Sequence, residues 1–299
     1  MTRRRQLWYY PLFQIPFILF TGCVLLALLF SLLNWGRPSV AVVLSLDLSG
    51  STFSNHPLQF NQPQTVMAQQ VRAAKLYLQR NQRDLANPNE VMIHGFGCNV
   101  VFLTPRFETN SDLLLTQLDQ ALNRSDLLAQ VDPSATNLSG AIAMATQQLQ
   151  LIPNRCRELL LITDGEASVD ASVVAHARQQ RVKINAIVIG DHAPQLAAAT
   201  QATGGQYRSA PVAILEELVG QTFFEGFNSN ARWPIFWGGM AVICFMWLLV
   251  LPLDRWILQG WFHLPMNLAG QIASGQWQFL SFSGDFRAGP LYQPVEEQA

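Results

Sequence analysis

Asp47, Ser49 and Ser51 stand at alternate positions in Asp47-Leu48-Ser49-Gly50-Ser51, and Asp164 lies in a second short run, Thr163-Asp164-Gly165. Each run follows a mostly apolar stretch, residues 39–46 and 158–163, so both carboxylates sit where a buried strand gives way to a turn. Side chains at alternate positions of a tight turn can converge on one point, and Gly50 is expected to let the backbone bend there. The donors are hard oxygens with no thiolate or imidazole among them. That set suits Mg²⁺, with Ca²⁺ or Mn²⁺ as alternatives, rather than zinc. The five histidines are scattered and no cysteine spacing suggests a zinc site. His94, inside an apolar stretch, reads as a core residue.

For the two carboxylates to meet, their strands must be neighbours. The pattern between residues 37 and 225 supplies a sheet in which they can be. Strands are predicted at 39–46, 90–96, 99–103, 158–163, 183–189 and near Tyr207, the second and third joined by a short Gly97-Cys98 turn. Helices are predicted at 65–80, from Asn110 or Ser111 through Leu122, and at 138–149, 171–180, 193–202 and 212–224. Strands alternating with helices of this length indicate an α/β fold, a doubly wound, mostly parallel sheet with helices on both faces. Ligands in such folds bind beyond the carboxyl ends of the strands, where Asp47 and Asp164 fall. Cys98 and Cys156 are expected near opposite ends of neighbouring strands, too far apart for a disulfide.

Taken in order, Asp47-x-Ser49-x-Ser51, Ser134-Ala135-Thr136-Asn137-Leu138 and Thr163-Asp164-Gly165 resemble the metal-ion-dependent adhesion site (MIDAS) of von Willebrand factor A (VWA) domains. Val71-Arg72-Ala73-Ala74-Lys75, Phe96-Gly97-x-x-Val100 through Leu103-Thr104, and Ala202-Thr203-Gly204-Gly205-Gln206-Tyr207 extend the resemblance over residues 38–224. It implies that Ser49, Ser51 and Thr136 offer hydroxyls to a divalent cation, while Asp47 and Asp164 hold coordinating waters. It also implies that a carboxylate from a partner protein fills the remaining position, with no catalytic residue and no organic cofactor. The loop 52–64, with His56, Phe60 and two prolines, would lie beside the ion; Glu166 is read as a cap for the turn that follows.

Charge is unevenly spread. Only 13% of residues are charged, about half the usual share. No Asp, Glu, Lys or Arg occurs between Arg5 and Arg37 or between Arg232 and Asp254, whereas the stretch between these gaps carries 14 Lys/Arg and 16 Asp/Glu. Residues 12–33 and 233–253 therefore read as two transmembrane helices, each long enough for a hydrocarbon core of about 30 Å. An N-terminal tail (1–11) precedes them, the domain 37–225 lies between, and a C-terminal tail (254–299) follows. Arg3, Arg4 and Arg5 against the single Arg37 place both termini in the cytoplasm and the domain outside the plasma membrane. Two helices around the domain are similar to the layout of bacterial membrane-anchored Bat-type VWA proteins. A net charge of −1 steers neither nucleic acid nor anionic lipid toward the chain as a whole.

These readings lead to a membrane-anchored protein-binding module, a receptor, scaffold or assembly factor, rather than an enzyme. A metal-independent structural subunit of a membrane complex is the alternative. A Mg²⁺-dependent phosphohydrolase is disfavoured, because a haloacid-dehalogenase-type site needs a second Asp where this chain has Ser49.

Overall fold

A computed structural model describes residues 11–33, 35–53, 65–165, 167–190 and 192–256. Most of the 52–64 loop, Glu166 and nearly all of the 254–299 tail lie outside the described residues. The chain forms two compact units, Trp35–Asn230 and a second made of Met1–Asn34 with Ala231–Ala299.

In the second unit, α1 (Pro11–Leu32) and α10 (Arg232–Trp256) run antiparallel. Phe20 meets Phe245 with ring centroids 5.7 Å apart, and Phe30 stacks on Trp233 at 5.4 Å. Both helices are long and apolar enough to cross a membrane. They keep large apolar side chains exposed, among them Ile18, Leu32, Ile235 and Val242, which a core helix of a soluble protein would bury. Gly238 and Gly239 have no other atoms within 4 Å of where a Cβ would stand, so neither provides a point of close approach.

In the Trp35–Asn230 unit the strands are β1 (Val40–Asp47), β2 (Glu90–Phe96), β3 (Val100–Phe102), β4 (Cys156–Thr163), β5 (Val182–Ile189) and β6 (Tyr207–Ala210). They form one sheet in the order β3-β2-β1-β4-β5-β6, and only β3 is antiparallel. All eight residues of β1 are buried, as expected of a central strand covered on both faces. Val42, Leu44 and Leu46 face one core, closed by α2 (Val66–Arg83) and α3 (Ser111–Leu122). Ala41 and Val43 face the other, closed by α5 (Leu138–Gln150), α6 (Ala171–Gln179) and α7 (Pro194–Thr203). The order of connection reverses at β1, which has β2 on one side and β4 on the other, so a crevice opens between β1 and β4 at their carboxyl ends.

Three details differ from the sequence reading. A short helix, α4 (Leu127–Val131), occupies what reads as a polar loop, because Leu127 and Val131 four residues apart give it one buried edge. Cys98 and Cys156 do lie at opposite ends of the sheet, both as free thiols, but β1 stands between their strands. The last helix is also not uniform: a 3₁₀ turn (Val212–Ile214), the single turn α8 (Leu215–Glu217), six π residues (Leu218–Phe223) and α9 (Phe224–Asn228) follow one another. Leu215, Val219, Phe223 and Phe227 are all buried. A strict four-residue spacing drifts by about 40° per step in an α-helix. The wider π turn offsets that drift and keeps these side chains on the core.

Candidate metal centre

Asp47 is the last residue of β1, paired across the sheet with Phe96 of β2. Its backbone is held by α2: Asp47 N donates to Gln70 Oε1 at 2.9 Å, and Gln70 is fully buried. Its carboxylate is fully buried too. Oδ1 accepts from Ser49 N at 2.9 Å, which folds the turn back on itself, and Oδ2 accepts from Thr163 Oγ1 at 2.5 Å. Thr163 ends β4, so this bond ties the two strand ends together across the crevice. Gly165 N donates in turn to Thr163 Oγ1 at 3.1 Å, which sets the turn carrying Asp164.

The hydroxyls complete a continuous polar chain. Ser49 Oγ lies 3.1 Å from Ser51 Oγ, and Ser51 Oγ donates to Asp164 Oδ1 at 2.9 Å. Thr136 enters from the loop before α5, its Oγ1 lying 3.8 Å from where a Cβ on Gly165 would stand. The structure thus links Asp47, Ser49, Ser51 and Asp164 at the carboxyl ends of β1 and β4, with Thr136 facing the turn at Gly165 beside them.

Glycine contributes differently from expectation. Left-handed glycine backbone occurs at Gly36, Gly190 and Gly204, not at Gly50. Gly50 is favoured by proximity: its N–H donates to Pro133 O at 2.8 Å, and a Cβ would stand a tight 3.3 Å from that oxygen. Gly97 is the stricter case, from the other side. A Cβ there would come within 2.8 Å of Asp132 O, while Gly97 O accepts from Asn137 N at 2.8 Å. Asn137 then caps α5 by accepting from Gly140 N at 2.8 Å. The loop carrying Thr136 is therefore pinned by the β1 turn, the β2–β3 turn and its own helix cap.

Sequence reasoning assigned no part to Gln70 and Thr163. Gln70 was detectable as a polar residue on the apolar stripe of α2, between Met67, Val71 and Ala74. Thr163 stood in the Thr163-Asp164-Gly165 run, but nothing in the run itself marks it as a partner of Asp47, since a threonine ending a strand is ordinary in composition.

Electrostatically the site is unbalanced. Burial pushes the Asp47 carboxyl above its ordinary value, and the nearby Asp164 adds to that; hydrogen bonds from Ser49 and Thr163 oppose it. Among the described residues no Lys, Arg or His makes an ion pair with Asp47 or Asp164. A buried carboxylate without a counter-charge is costly. No group of three or more His, Cys, Asp and Glu occurs among the described residues. The candidate donors are three hydroxyls with two carboxylates, a set whose chemistry suits a hard divalent cation.

A profile of the von Willebrand factor type A domain matches residues 59–209, half of the chain. The chain belongs to the von Willebrand factor type A domain family. The match contains Thr136 and Asp164 and begins after the Asp47 to Ser51 loop. Similar solved structures include a von Willebrand factor type A protein from Catenulispora acidiphila, at 16% identity and TM-score 0.47, covering 64% of this chain. This chain spans 43% of that protein's length. BatB from Bacteroides thetaiotaomicron has 16% identity and TM-score 0.47, covering 64% of this chain and 100% of its own. An aerotolerance-related membrane protein from Bacteroides fragilis NCTC 9343 has 16% identity and TM-score 0.44, covering 61% and 98%. Among curated proteins none matches by sequence.

Proposed function

We propose that this VWA domain is a membrane-anchored, divalent-cation-dependent protein-binding module, with its cation at Asp47, Ser49, Ser51, Thr136 and Asp164. The observation that carries the reading is the fully buried Asp47 carboxylate, joined through Ser49 and Ser51 to Asp164 with no basic side chain paired to either. When bound, a dication, Mg²⁺ by preference, supplies the missing positive charge and an electrophilic position open to an Asp or Glu carboxylate of a partner. The chain's own part is to hold the donors in place. Gln70 and Thr163 fix Asp47, Gly50 and Gly97 pin the Thr136 loop, and the half-buried Asp164 faces the rim from which a partner approaches.

The segments 12–33 and 233–253 are proposed to span the plasma membrane, with the tails 1–11 and 254–299 in the cytoplasm and the domain 37–225 outside. The exposed apolar faces of α1 and α10 support that assignment. Other subunits of a membrane complex are natural partners for such a module.

The test is isothermal titration of Mg²⁺ into the detergent-solubilised chain, alongside partner capture from native membranes with Mg²⁺ or with chelator. Asp47→Ala is expected to lose both cation binding and capture while its far-UV circular dichroism stays that of the parent. Capture that survives chelation would defeat the reading and favour a metal-independent structural subunit.

A further inference from the structure

Two of the chain's four cysteines lie in the apolar segments, where neither the sheet nor the cation site employs them. Cys23 falls at the middle of residues 12–33 and Cys244 at the middle of 233–253, so two antiparallel helices crossing one bilayer carry them at the same depth. The helix pair brings them together. Its seam is narrow: among the described residues of α1 only Pro16 and Cys23 are buried. On α10 the buried residues are Ala241, Cys244 and Leu248, whose spacing of three and four puts them on one face. Phe20, about one turn before Cys23, meets Phe245, the neighbour of Cys244. The two thiols are in side-chain hydrogen-bond contact, and both are free.

Two thiols in contact can ligate a soft metal ion or be oxidised to a disulfide. Ligation requires both protons to leave, and two thiolates around a monovalent soft cation keep a net negative charge, which is costly in hydrocarbon. A disulfide carries no charge and suits an apolar seam. Once formed, such a bond is reduced only by direct attack of a thiolate on one of its sulfurs. The middle of a bilayer keeps water-soluble thiols away from it. The electron carriers that do reach this depth are those dissolved in the hydrocarbon.

We propose that Cys23 and Cys244 are joined within one chain by a disulfide formed inside the membrane, with a lipid-soluble quinone as the oxidant. Each thiol gives up one proton and one electron as the S–S bond forms, and the quinone takes up both protons and both electrons to become the quinol. The bond fixes the register of α1 and α10 at their midpoint and makes the two apolar segments one covalent unit. It involves none of the residues of the proposed cation site. It does rest on α1 and α10 being membrane-embedded.

The test uses the full chain as Cys98→Ser/Cys156→Ser, which leaves only the two thiols of the helix pair. It is reconstituted in phosphatidylcholine vesicles and exposed to decylubiquinone or to its quinol. The samples are denatured in SDS and treated with a polyethylene glycol maleimide, which adds one gel shift for each free thiol. The quinol sample is expected to show two shifts and the quinone sample none, with dithiothreitol after denaturation restoring both. Cys23→Ser in the same background is expected to keep its remaining thiol reactive in quinone. In the unsubstituted chain, non-reducing mass spectrometry is expected to find the Cys23 and Cys244 peptides linked. Two free thiols after quinone, a loss that dithiothreitol does not reverse, or a disulfide-linked dimer in place of the intrachain bond overturns the inference. Extraction of the chain from the vesicles by alkaline carbonate overturns it together with the membrane anchoring, whereas Mg²⁺ titration judges the cation site separately from both.

Discussion

At the scale of single residues, two buried ionisable side chains dominate, and they act with opposite signs. Asp47 is costly to ionise without a cation, since burial raises its pKa. In chelator, Asp47→Asn should therefore stabilise the chain by about 1–2 kcal/mol, because an amide can still accept from Ser49 N without carrying a buried charge. Mg²⁺ should raise the unfolding midpoint of the parent chain in proportion to ln(1 + [Mg²⁺]/Kd) and leave Asp47→Asn unmoved. Thermal unfolding with and without chelator checks both halves. His94 is the counterpart on the opposite slope. It is buried within β2, its Nε2 lies 2.9 Å from Ser45 Oγ, and burial pushes its pKa down to about 3. The unfolded chain takes up a proton near the usual histidine value of about 6.5 and the folded chain does not, so stability falls as pH drops below that value. Between pH 6.5 and 4.5 the loss should reach about 2–3 kcal/mol. Urea unfolding in detergent should show this acid limb in the parent and a shallower one in His94→Gln.

The elements show why much of this was legible in the sequence. β1 reads as a buried strand because every residue from Val40 to Leu46 except Ser45 is apolar, and the structure buries all of it. Asp47, Ser49, Ser51 and Asp164 were readable because turn and strand end coincide with short polar motifs. Thr136 needed the resemblance, since no periodicity distinguishes it. Two things were not legible. The π segment was missed because its four-residue spacing of buried side chains, Leu215, Val219, Phe223 and Phe227, lies within the range an ordinary amphipathic helix also shows. The use of Gly50 and Gly97 depends on which loops approach them from more than 30 residues away, which local pattern does not encode. Gly97 yields the element-scale prediction. A methyl group there collides with Asp132 O and Val131, so Gly97→Ala must push the 131–137 loop outward and carry Thr136 with it. Mg²⁺ affinity should fall about ten-fold or more, an effect of the size seen when supports behind metal ligands are removed. Calorimetry would show it, with Gly140→Ala, which also crowds Asn137, as a second probe of the same loop.

For the whole molecule the deciding question is on which side of the membrane the VWA domain lies. The proposed topology, with the domain outside, rests on three residues, Arg3, Arg4 and Arg5, set against Arg37. Arg232 and Arg255 bracket the second apolar segment evenly and add no vote. On the proposed topology the domain, with its proposed cation site, lies outside, and Cys156 faces the cell exterior. In intact cells a membrane-impermeant maleimide should therefore label Cys156 in a Cys98→Ser background. A cysteine introduced as Ala299→Cys, with both native domain thiols changed to serine, should react only after permeabilisation. Labelling of both positions from the same side would reject the two-span topology, because an even number of crossings must return the C-terminus to the side of the N-terminus. Labelling of Ala299→Cys alone from outside would keep two spans, invert them, and place the proposed cation site among cytoplasmic partners.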